Sequence, residues 1–189
     1  IRPDKKGPKS VAIIVFLGAL LLAFQAYGDY QLHSAEDLSD EEILTLLETP
    51  NSQAADEDDI TVEQYQEFHD AARESGGYAL RAAGLGLGVV MMLVGSVLLF
   101  QLKPVGAWLN VGGASIGLVS GVVGSWLLGG AAAANLSGPL LLTYQILTYF
   151  CGVCMVSCIG LAALPLLNAR ARLALYPNPT VVLSLDEQE

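Results

Sequence analysis

Three stretches of this chain, residues 82–100, 105–128 and 140–167, each run for about five helical turns or more without one charged side chain. A helix on the surface of a water-soluble domain keeps a polar stripe, so runs of this length exclude that setting. A hydrocarbon layer of about 30 Å is crossed by about 20 helical residues. A fourth run, residues 11–27, reads VAIIVFLGALLLAFQAY and is shorter. Lys5, Lys6 and Lys9 ahead of it also fit a signal peptide, but Phe24-Gln25-Ala26 is a poor small-x-small cleavage site. An uncleaved helix is therefore expected.

These runs predict an all-α integral membrane four-helix bundle with a small outer helical hairpin between helices 1 and 2. The expected organisation is a basic N-terminus (1–10), a first span (11–27), an acidic outer segment (28–77), spans at 78–102, 105–128 and 139–167, and a tail (168–189). The lipid bilayer is the first expected partner.

The formal net charge of −10 is distributed unevenly: 15 of the 19 acidic residues lie between Asp29 and Glu74. The chain is a mosaic of apolar blocks and one anionic block, which excludes a uniformly acidic globule. Basic residues near span ends set orientation, with Lys and Arg favouring the cytoplasmic side. Placing the N-terminus inside puts Arg2, Lys5, Lys6, Lys9, Lys103, Arg170 and Arg172 in the cytoplasm. Arg73 and Arg81 then lie outside, with Arg81 expected to snorkel to the surface. The expected location is thus the cell membrane, with both termini cytoplasmic and residues 28–77 outside.

Membrane helices associate through close backbone approach, for which small residues at helical spacing are the sequence trace. Gly106, Gly113, Gly117, Ser120 and Gly124 form such a stripe in the third span; Gly84, Gly88 and Gly95 form one in the second. The short turn Gln101-Leu102-Lys103-Pro104 joins them, and Pro104 suits a first helical turn. A tight antiparallel hairpin of the two helices follows, with the shallow crossing angle that a heptad-like stripe favours.

In the acidic segment Ser39 with Glu42, and Thr61 with Gln64, have capping-box spacing. They predict two short amphipathic helices, the first ended by Pro50, with Asn51 to Asp59 as a polar linker. Leu38, Ile43, Leu46 and Leu47 on one helix, and Tyr65 and Phe68 on the other, are the candidate partner-binding stripe, to rest on the bundle or on another protein. Asp56 to Thr61 departs from a calcium loop at its fifth and sixth positions, occupied by Ile60 and Thr61. His33 and His69 have no ligand-convergent spacing and are expected to be solvated. No metal site and no cofactor is expected.

All three cysteines, Cys151, Cys154 and Cys158, fall in the fourth span as CGVCMVSC, on one narrow face. Cys151 lies about 16 Å from the outer end of its helix at 1.5 Å per residue. A C-x-x-C on the fourth helix of a four-span protein resembles the vitamin K epoxide reductase type of quinone-linked thiol oxidoreductase, over the stretch from Tyr149 to Cys158. The resemblance implies a redox pair at Cys151 and Cys154. That family places its pair near the outer end of the helix and relays electrons through a second pair in the outer loop. Here the outer segment has no cysteine. The alternative is that all three act as small apolar residues at a helix interface, and this reading is preferred.

No phosphate-binding loop or nucleophile elbow is present, and no carboxylate lies within the apolar runs. The expected role is non-catalytic: a scaffold, an accessory subunit or an outer-facing interaction module. Its expected partner is another membrane protein or a second copy of the chain, and no nucleic acid. A small oligomeric transporter or pore, and a thiol oxidoreductase using Cys151 and Cys154, are the alternatives.

Overall fold

The computed structural model describes residues 3–35, 37–53 and 59–176, and every regular element among them is an α-helix. In chain order these are α1 (Lys6–Ser34), α2 (Asp40–Gln53), α3 (Val62–Glu74), α4 (Gly77–Phe100), α5 (Pro104–Asn135), α6 (Gly138–Leu167) and α7 (Ala169–Leu175). Four of them, α1, α4, α5 and α6, are long and apolar enough to cross a membrane. Such helices belong to a membrane-embedded, multi-pass chain. Three outrun their apolar cores: α1 reaches Ser34, α5 continues to Asn135, and Gly138 already opens α6. Gly28 follows Tyr27 and Gly129-Gly130 follow Leu128, but no proline does, and the helices carry these glycines within them.

The chain divides into two compact units. The first comprises Ile1–Leu22, Leu87–Ile116 and Val156–Glu189; the second comprises Ala23–Gly86 and Gly117–Met155. In the first, Asp4 caps α1 by accepting from the backbone N–H of Lys6 (2.9 Å) and Gly7 (3.1 Å). Small residues let the helices approach: Ala19, Ala114 and Ala162 are buried with Val15 and Met92, and Ala12 and Ala107 with Leu99 and Leu175. Where Gly106 meets α4, a Cβ would collide with the backbone N of Leu99. Gly113 opposes the carbonyl of Gly88.

The turn between α4 and α5 is closed by two backbone hydrogen bonds. The Leu102 N–H donates to the Leu99 carbonyl (2.8 Å) and that of Lys103 to Leu98 (2.9 Å), with Leu102 in the left-handed region at φ 60°. Pro104 then opens α5. Helix α7 was not expected from sequence. Asn168 starts it by accepting from the N–H of Arg170 and Ala171, and Leu175 inserts into the core beside Ala12.

In the second unit, Ile43, Leu47, Tyr65 and Phe68 pack with Tyr78, Leu128, Ala132 and Leu136. Phe68 is edge-on to Tyr65 (5.6 Å) and to Tyr144 (5.1 Å). Helix α2 runs through Pro50 rather than stopping there, because a proline near the last turn forfeits one backbone bond only. Asn51 ties α2 to the start of α3, its Oδ1 accepting from the Ile60 N–H (3.1 Å) and its Nδ2 donating to the Ile60 carbonyl (3.0 Å).

Both capping boxes are formed. Hydrogen bonds from the Ser39 hydroxyl, and then from its backbone N–H, hold the Glu42 carboxyl below its usual range. That contribution is present above the ordinary glutamate range and is lost as pH falls through the lowered value. At α3 the Thr61 hydroxyl accepts from the Gln64 N–H, and the Gln64 side chain accepts from the Thr61 N–H. Thr61→Ala is expected to cost ~1 kcal/mol, read as a lower unfolding midpoint in detergent and faster hydrogen exchange in the first turn of α3.

Candidate functional site

Helix α1 holds Asp29 because it does not end with its apolar run. Ala19, Leu22, Ala26 and Asp29 recur at helical spacing, so the carboxylate falls on the face that the helix buries. Asp29 is 5% exposed, whereas every described acidic side chain from Asp37 to Glu74 is exposed. It is an exception within the anionic block.

Its partner is Arg81, one turn into α4, with Arg81 Nε 3.1 Å from Asp29 Oδ2. The two side chains are 17% and 6% exposed. Arg81 therefore does not snorkel to the surface, as expected from sequence, but turns inward to a buried carboxylate. Neither Asp29 Oδ2 nor Arg81 Nε has a well-directed hydrogen bond, although they touch as an ion pair. Gly124 makes the approach possible: a Cβ there would overlap the Arg81 side-chain stem and stand 2.9 Å from the Gly77 carbonyl. Part of the glycine stripe read as helix packing thus clears a path for an arginine.

The end of α1 is held by α3. The carbonyl of Ala35, just beyond the helix, accepts from Arg73 Nη1 (3.0 Å) and lies 3.2 Å from His69 Nε2. Carbonyls at helix C-termini lack intrahelical donors, and a cation there also meets the favourable end of the helix dipole. His69, expected to be solvated, is 1% exposed and packs against Tyr78 at 5.9 Å. His33 is exposed.

The ion pair lines a cavity of about 340 Å³. Gln25, Ser125, Tyr144 and Thr148 contribute uncharged polar groups, and Leu32 and Leu128 are among the apolar ones. The Thr148 hydroxyl donates to the Tyr144 carbonyl (2.9 Å), leaving its oxygen able to accept. A fixed cation and anion facing a partly enclosed space can orient a charged guest. The chemistry they support is binding.

The residues singled out from sequence divide as follows. Within the first unit Gly95 meets Gly106 and Gly88 meets Gly113; within the second Gly84 meets Ser120, and Gly117 faces Met155 and Leu85. Of the stripe expected to bind a partner, Ile43, Leu47, Tyr65 and Phe68 are buried in the chain's own core and Leu38 packs against it. Leu46 is 51% exposed. Cys158 is half-buried on α6, while the side chains of Cys151 and Cys154 lie outside those described. Asp56 to Asp58, the acidic core of the calcium-like stretch, also lie outside the described residues, and among those described no cluster of His, Cys, Asp or Glu could hold a metal.

Sequence reading missed the Asp29–Arg81 pair because Asp29 was grouped with the outer acidic block. Its spacing of three residues from Ala26 and seven from Leu22 was the signal that could have separated it. Compared with protein-family models, with curated proteins and with solved structures, the chain matches none.

Proposed function

We propose that this chain is a four-helix membrane bundle acting as a non-catalytic interaction module, with both termini cytoplasmic and the acidic segment outside. The supporting observation is how α2 and α3 divide their faces. Ile43, Leu47, Tyr65 and Ala72 fill the core around Phe68, while Leu44, Leu46 and all the described carboxylates stay exposed. Both helices carry their own caps, and Asn51 ties one to the other. The surface left for a partner is therefore anionic, with Leu44 and Leu46 exposed among the carboxylates, and its complement is a basic segment of another membrane protein. Charge complementarity of this kind acts on association rate and specificity and weakens with salt.

The test is gentle detergent extraction from native membranes, mass determination of the complex and identification of its components. The wild-type chain is compared with Asp40→Asn, Glu41→Gln, Glu48→Gln and Glu63→Gln combined. A stoichiometric partner with a basic outer segment, lost at high salt and weakened at least tenfold by the neutralised chain, supports the reading. A lone monomer, or a homo-oligomer indifferent to the substitutions, counts against it. A small oligomeric transporter is the second reading, favoured by the ion-paired cavity; solute flux in proteoliposomes would support it.

A further inference from the structure

The cavity beside Asp29 and Arg81 is a different feature from the acidic surface, and its chemistry is more specific. A buried ion pair is favourable only when its remaining lone pairs and N–H groups are also satisfied. A guanidinium carries five N–H donors and a carboxylate about four acceptor sites. Here they are joined by one contact, at 3.1 Å, that lacks good hydrogen-bond direction. Asp29 is more than nine-tenths buried and lines the cavity with Arg81. The volume of about 340 Å³ lies at the small end of ligand pockets, and far exceeds the roughly 30 Å³ that one water occupies.

The geometry points to a binding site for a small zwitterionic group, its anionic oxygens taken by Arg81 and its ammonium by Asp29. A lone anion would bring a second negative charge beside the buried carboxylate, and a lone cation would sit against the guanidinium. A zwitterion keeps the enclosed charge at zero while satisfying both partners. Gln25, Ser125 and Thr148 supply neutral polar groups around it. The same chemistry has two sources: the headgroup of a phosphatidylethanolamine lipid, or a free solute bearing phosphate and ammonium.

Thermal unfolding of the full chain in detergent, at constant ionic strength, tests the site with glycerophosphoethanolamine, glycerophosphate and ethanolamine. The zwitterion should raise the midpoint at a concentration at least tenfold lower than either half alone. In parallel, the chain from mixed phosphatidylethanolamine and phosphatidylglycerol bilayers is weighed intact by mass spectrometry. Selective retention of the zwitterionic lipid, with or without a response to the free compound, supports the site and assigns the lipid as source. A response to the free compound without retention assigns a solute. Thr148→Phe and Ser125→Leu fill the cavity from α6 and α5 while keeping both charges, and whichever still unfolds cooperatively should lose the effect. The proposal is overturned if neither source binds, if one half alone works as well, or if the filled variants respond like wild type. None of these outcomes depends on whether the acidic surface has a protein partner.

Discussion

Gly106→Ala is expected to destabilise the chain by about 3 kcal/mol, the upper part of the range for overpacking, and to loosen α4 from α5. The added methyl would meet the backbone N of Leu99 and the carbonyl of Gly95. A side chain can rotate away from such a contact, but helix backbone cannot, so the helices themselves must separate. The control is Gly121→Ala on the same helix, where no atom lies within 4 Å of the new carbon. There alanine gains up to ~1 kcal/mol of intrinsic helix preference and nothing is lost. Unfolding midpoints in detergent should move in opposite directions for the two variants. Equal midpoints would show that the close approach of α4 and α5 does not contribute to stability.

Arg81→Met should cost about 3–5 kcal/mol, since it leaves the Asp29 carboxylate buried without its counter-charge. Methionine retains most of the aliphatic stem that crosses Gly124, which separates the charge effect from lost packing. Asp29→Leu combined with Arg81→Met should recover most of the loss, because two apolar groups then fill the space without a desolvation penalty. A double-mutant cycle built on unfolding midpoints measures this directly. If the double variant were as unstable as the sum of the single ones, Asp29 and Arg81 would be acting independently and the pair would not organise the cavity.

Several elements were legible because their causes are local. The charge-free runs place four long helices, and Ser39, Thr61 and Pro104 mark starts that depend on side chains within three residues of each helix end. Gly95 and Gly106, on the glycine stripes of α4 and α5, approach each other in the structure. Helix ends were less legible. Pro50 is tolerated inside α2, α1 extends to Ser34, and α7 forms where only a tail was expected. Asn168 and Leu175 form α7, Asn51 holds the chain beyond Pro50, and Arg73 and His69 hold the end of α1 at the Ala35 carbonyl.

The candidate site was not legible as a site. Asp29 sits at the edge of an acidic block and Arg81 at the edge of an apolar run, and each position has an ordinary solvated explanation. His69 and Arg73 likewise look like surface residues until the Ala35 carbonyl is placed beside them. Composition and periodicity, read along one chain, determined that this protein is helical, apolar enough to enter a membrane, and anionic in one segment. Hydrophobic transfer and capping act over a few residues, so they can be read in order. Which charges are buried, which stripe fills the chain's own core and where a cavity opens were decided by tertiary structure alone. Those outcomes depend on side chains far apart in sequence meeting in space, and no local pattern encodes their distance.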